Sequence, residues 1–156
     1  MKIRIGLSCF SFAFIMLGAA MFVNNYRADR NFYCAAQDTL YHGDMTIKGN
    51  YGFAFHGSKG FLIIDARIEH KGAPAGNVRR TIDFTFKIRE GNYVLQSNKI
   101  TTLPVDNADT NGFQHHAPSF FVVNNQTLVL FITNDDNHGK VIFFGHTPAF
   151  YCNQTT

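Results

Sequence analysis

From Ile5 to Val23 the chain carries nineteen residues without a charge, and only Ser8 and Ser11 in that stretch bear a hydroxyl. Lys2 and Arg4 precede it and Asn24-Asn25-Tyr26-Arg27 follow. A run of this kind fits two objects. A cleaved signal peptide needs a basic start, a shorter apolar core and small residues at the cut; Ile5 to Leu17 and Gly18-Ala19-Ala20 supply them. An uncleaved anchor needs about 20 apolar residues to cross roughly 30 Å of hydrocarbon. Met21-Phe22-Val23 favour the anchor, because they complete its length and would otherwise open a mature chain with an apolar triplet. Residues 1–4 are then a cytoplasmic tip, 5–23 a transmembrane helix, 24–31 a linker with Tyr26 at the interface, and 32–156 an exported domain. Cys9 lies inside the apolar core, whereas a lipidated cysteine follows it.

The split changes what the composition means. The whole chain has a formal charge of +3. Without residues 1–23, 12 Lys and Arg face 11 Asp and Glu. Arg79-Arg80 is the sole adjacent basic pair and has no aromatic interleaving, so direct nucleic-acid binding is not expected.

The exported part reads as strands. Ile82, Phe84, Phe86 and Ile88 alternate with Thr81, Asp83, Thr85, Lys87 and Arg89, and Leu62, Ile64, Ala66 and Ile68 repeat the pattern opposite Asp65, Arg67 and Glu69. Residues 127–133 and 140–144 are more continuously apolar, as in strands buried on both sides. Turn residues separate the runs at Gly49-Asn50, 57–60, 72–76, 90–92 and 134–139. Eight strands are predicted near residues 39–48, 50–56, 60–71, 78–89, 92–102, 118–123, 127–134 and 140–145, with 149–152 closing. The fold class is mainly β: an N-terminal helix followed by a small antiparallel barrel or sandwich. Seventeen Phe and no Trp imply a core of Phe, Ile, Leu and Val. The long irregular stretch 103–118 is where function is sought first.

No constellation for catalysis emerges. Asp65, Asp83, Asp106, Asp109, Asp135 and Asp136 fall on wet strand faces or in turns. There is no GxSxG, HExxH or Walker pattern, and 57–60 reads as a hairpin turn. The stretch 107–112 resembles a calcium loop but begins with Asn and has Pro118 where the twelfth-position Glu belongs. Asn125-Gln126-Thr127 and Asn153-Gln154-Thr155 match a glycosylation acceptor, relevant only to a eukaryotic secretory route. Neither catalytic residues, a cofactor nor a metal is expected.

Histidine is the unusual residue. His42, His56, His70, His115, His116, His138 and His146 all lie in the exported part. Three readings stand: residues without a role, a pH-sensing set titrating between about pH 5 and 8, or a metal site. Cys34 and Cys152, each preceded by Phe-Tyr, read most simply as a disulfide closing a 119-residue loop in an oxidising compartment. Two unpaired buried thiols are the alternative.

The early Cys after one apolar segment, Gly57-Ser58-Lys59-Gly60 leading into Phe61-Leu62-Ile63-Ile64, the strand 80–88 and the ending Thr147-Pro148-Ala149-Phe150-Tyr151-Cys152 resemble the FidL-like group of small enterobacterial inner-membrane proteins. That group is similar in layout to the PsaF/MyfF and ToxS accessory proteins. The resemblance implies a lipocalin-like half-open barrel in the periplasm, anchored by a single-pass helix in the inner membrane, with Cys34 and Cys152 bridged. It implies a protein partner, a membrane-anchored winged-helix transcription regulator that the domain stabilises or modulates, and no catalytic residue. A periplasmic barrel holding a small apolar ligand is the alternative function.

Overall fold

Strand alternation dominates the chain after the N-terminal apolar run, and the computed structural model describes what it builds over residues 2–108, 112–135 and 139–152. Side chains of residues 2–13, 25 and 42 lie outside the description. A helix α1 (Lys2–Ala28) leads into eight strands: β1 (Asn31–His42), β2 (Met45–His56), β3 (Lys59–His70), β4 (Ala73–Arg89), β5 (Asn92–Thr102), β6 (Thr127–Asn134), β7 (Lys140–Phe144) and β8 (Thr147–Cys152). Each pairs antiparallel with the next in the order β1 to β8. The meander curls into a nearly closed barrel, with the Cys34–Cys152 disulfide joining β1 to β8 at a Cα separation of 5.0 Å.

Among the described residues no helix is both long and apolar enough to cross a membrane. The described side chains of α1 begin at Phe14, and Phe14, Ile15, Met16, Leu17, Met21 and Phe22 are all more than half exposed. Residues 24–28 belong to α1, so two residues separate helix from barrel. That junction is clamped. Tyr93 Oη donates to the Asp29 carbonyl (2.8 Å), Asn31 Nδ2 to the Arg27 carbonyl (2.7 Å), and Arg30 Nη1 to the Gly57 carbonyl (3.2 Å).

Three predicted elements differ. The predicted strand 39–48 is split by a hairpin turn at Gly43-Asp44, its two halves being the end of β1 and the start of β2, and the predicted turn Gly49-Asn50 lies inside β2. Gly49 is there for close approach: a Cβ on it would collide with Ala66 of β3. The predicted strand 118–123 is a 3-10 turn, Ser119–Phe121. A strand would send Phe120 and Phe121 to opposite faces, yet both are buried.

The barrel interior is filled by the chain's own rings. Phe55 packs on Phe32 (centroids 4.5 Å), Phe86 (5.0 Å) and Phe84 (5.3 Å), while Phe53 meets Phe150 (5.4 Å). The connection from β5 to β6 adds Phe120 against Phe84 (6.1 Å). It also carries a short helix α2 (Phe113–His116), whose Phe113 is buried.

Candidate interaction surface

A β-strand alternates its side chains, so adjacent Arg79 and Arg80 on β4 must take opposite faces. Arg79 points outward and pairs with Asp65 across the ladder (2.8 Å). Arg80 shares parity with Ile82, Phe84 and Phe86 and enters the core, 2% exposed. Its Nε donates to Asp106 Oδ2 and its Nη2 to Asp106 Oδ1, both at 2.8 Å. Nη1 reaches the Phe121 carbonyl (3.2 Å), and the guanidinium lies over the Phe113 ring (5.1 Å). Asp106 also accepts from the backbone N–H groups of Arg79 (2.9 Å) and Ala108 (3.1 Å). Burial would raise its carboxyl pKa, but the Arg80 hydrogen bonds, the two N–H groups and the Arg80 charge outweigh it and hold the carboxyl below the ordinary value. This bidentate pair pins the long β5–β6 connection onto the barrel. It is an anchor for the stretch where function was sought, with its polar atoms turned away from solvent.

A second inward cation closes the end of the barrel next to α1. Lys140, 6% exposed, donates to Asn134 Oδ1 (2.8 Å) and sits 4.6 Å from the Phe32 ring centroid. Burial lowers its pKa, with the Asp29 charge opposing.

The outer face of β6 to β8 is apolar. Val129 and Phe131 are 47% and 45% exposed and Tyr151 is 70% exposed. Phe131 faces Phe143 of β7 (centroids 5.8 Å), and Val141 pairs in register with Tyr151. Of the two runs expected to be buried on both sides, β6 alternates exposed with covered residues, whereas no residue of β7 is exposed. On the outer face of β1 and β3, Tyr33, Phe61 and Ile63 are exposed as well.

The histidines do not gather. His56 ends β2 beside α1, His70 ends β3 at the opposite end, and both are exposed, as is His146 in the β7–β8 turn. His115 and His116 occupy α2. His42 ends β1 with its side chain outside the description, and His138 lies outside the described residues, as do Asp109 and Asp136. Among the described residues no group of three or more His, Cys, Asp or Glu could hold a metal. Asp83 is exposed on the outer face of β4, and Asp135 precedes the β6–β7 turn, where its N–H donates to the Gly139 carbonyl (2.9 Å). The buried Arg80 and Lys140 escaped the sequence reading, although each shares the inward parity of its strand.

Residues 31–152, from the first residue of β1 to the last of β8, match the family described as the YqeJ C-terminal domain. No curated protein matches the chain.

Proposed function

The chain belongs to the YqeJ C-terminal domain family, and from that premise we propose that it is an interaction module held at a membrane by α1. Its β-domain lies in the periplasm, the uncharged run 5–23 anchors it in the inner membrane on the strength of the sequence pattern although no described helix is long and apolar enough to cross, and the domain binds and stabilises or modulates a membrane-anchored winged-helix transcription regulator. The observation that carries this reading is the exposed apolar face of Val129, Phe131 and Tyr151, since contiguous apolar surface on a small domain marks an interaction site. The resemblance to FidL-like, PsaF/MyfF and ToxS accessory proteins supplies the kind of partner. The exposed apolar side chains of Phe14 to Phe22 support the anchor, because lipid would cover them. A partner that binds only the folded regulator stabilises it by mass action, by about 2.7 kcal/mol at a hundredfold excess over Kd.

The ligand-binding alternative is disfavoured by the interior, where Phe53, Phe84, Phe120 and Phe150 occupy the space a small apolar molecule would need. A pH response would need histidines acting together, and the described ones are spread over the domain.

The test is photo-crosslinking in the intact membrane from a reactive group placed at Phe131 or Tyr151. The expected product is a covalent adduct with a membrane protein carrying a winged-helix domain, lost when the same group is placed at exposed Thr102. Adducts from all three positions alike, or none from the apolar face, would refute the proposal.

A further inference from the structure

A cleft of about 540 Å³ opens on the outer surface where β4, β5 and β6 meet the β2–β3 turn and the end of α1. Three cations line it, Arg30, Lys87 and Arg89, together with the hydroxyls of Ser58, Thr85 and Thr127. No carboxylate does; Asp83 and Glu90, the acidic neighbours along the strand and turn, are not among its lining residues. Lys48, Lys71, Arg79 and Arg80 each have an acidic partner. Among the described residues Lys87 and Arg89 form no ion pair. Arg30 Nε is buried without an acceptor there, and a buried donor left unmatched asks for an explanation.

Three like charges drawn together repel one another, and an anion between them turns that repulsion into attraction. The donor set suits a tetrahedral oxyanion: the guanidinium fork of Arg89, the ammonium of Lys87, three hydroxyls and the N–H groups that Arg30 keeps while its Nη1 holds Gly57 and its guanidinium lies over Tyr26 (4.6 Å). We propose that this cleft is a phosphate-group site. Register adds its neighbourhood. Lys87 pairs with Val94, which pairs with Val129, and Arg89 pairs with Asn92, which pairs with Phe131. The cationic rows thus run directly into the apolar outer face. The same cleft is tied to α1, because Arg30 lines it and also holds the β2–β3 turn through Gly57. A phospholipid headgroup fits this place, its phosphate among the cations and the tie to α1 holding the cleft at the bilayer surface, which leaves Val129 and Phe131 to the protein partner. That source of phosphate rests on the anchored reading of α1; the site itself does not.

The experiment uses the full chain in nanodiscs of mixed phosphatidylcholine and phosphatidylglycerol, with retained lipids counted by native mass spectrometry. Lys87→Gln with Arg89→Gln is the variant, since both side chains are exposed and the fold does not rest on them; Lys99→Gln, elsewhere on the barrel, is the control. Each cation near a lipid surface is worth about fivefold in partitioning. The wild type and the control are expected to retain phosphatidylglycerol preferentially, with that preference falling about thirtyfold in the double variant. A second arm titrates inorganic phosphate onto the chain in zwitterionic detergent, followed by phosphorus NMR line width. Line broadening that the double variant abolishes, without lipid preference, keeps the site and assigns it to free phosphate. Equal lipid retention by wild type and variant, together with no phosphate broadening, overturns it. Alkaline carbonate extraction of membranes separates the two readings. Release of the chain would sink the anchor alone, and the cleft would then be judged by binding of the released chain to phosphatidylglycerol vesicles.

Discussion

Removing the carboxylate beside Arg80 tests the internal logic of the fold most directly. Side chains of Arg80 and Asp106 are 1% and 2% exposed, so Asp106→Ala strands a guanidinium that water cannot reach. Two charge-assisted hydrogen bonds of 2.8 Å disappear, and the N–H groups of Arg79 and Ala108 lose their acceptor. Breaking one side of a buried pair costs about 3–5 kcal/mol. In a domain of this size that lowers Tm by about 10–20 °C, read by circular dichroism on the full chain in detergent. Arg80→Met combined with Asp106→Leu removes both charges and keeps the volume, so the double variant should recover most of the loss. Acid supplies an independent check. The Asp106 pKa is lowered in the folded state, so its contribution is present above the unfolded value near pH 4 and is lost as pH falls through the lowered folded value. Asp106→Asn should flatten stability against pH below about pH 4. A loss under about 1 kcal/mol in Asp106→Ala, smaller than one ordinary buried hydrogen-bonded charge, would refute the argument. It would mean that the Phe121 carbonyl and the Phe113 ring satisfy Arg80 without the carboxylate.

Three further outcomes are expected. Cys34→Ser with Cys152→Ser opens a loop spanning 118 positions and should cost up to about 4–5 kcal/mol by the chain-entropy model, measured from the denaturant midpoint. Two of the six tyrosines should ionise late in an ultraviolet titration. Burial, with the Asp38 charge, pushes Tyr51 up to about 12, and burial, with Asp29 against the opposing Arg30, does the same for Tyr93. Their contribution to stability is full below about pH 10, the unfolded value, and is lost as pH rises toward the folded one; Tyr51→Phe and Tyr93→Phe should each remove one late step. Gly60→Ala should destabilise by about 1–3 kcal/mol in thermal unfolding, because the new methyl meets the Ala54 carbonyl and the Phe84 ring.

Most of the barrel was legible because half-buried strands advertise themselves. β3 and β4 alternate without interruption along their central stretches, and turns such as Glu90-Gly91 fall where both residues take positive φ (51° and 77°), the requirement of a tight hairpin. The misreadings have physical causes. Gly49 looks like a turn residue but serves a close strand–strand approach, a tertiary demand with no local signature. Arg80 looks like surface charge until its parity is counted against Ile82 and Phe84; the pattern was present, and charge type overrode it. Nothing local revealed that Asp106, 26 positions away, would meet it.

The misreading of β6 is the most informative, because continuous apolarity in a strand has two origins. One is burial on both faces, which requires a second layer of structure outside the sheet. The other is an outer face that some other molecule covers. A meander of eight strands curled on itself places its core inside, and the β5–β6 connection, the one long segment left over, turns its Phe113, Phe120 and Phe121 into that core. The described chain therefore has no layer to spare for Val129, Phe131 and Tyr151. Retaining Phe and Val where Thr or Lys would satisfy the same ladder carries a solubility cost. Occupation of that face by the proposed partner would offset the cost. The same reasoning links the filled interior to the apolar outside: this barrel packs its own rings where a ligand carrier would leave room, and its apolar surface stays on the face where the proposed partner would dock.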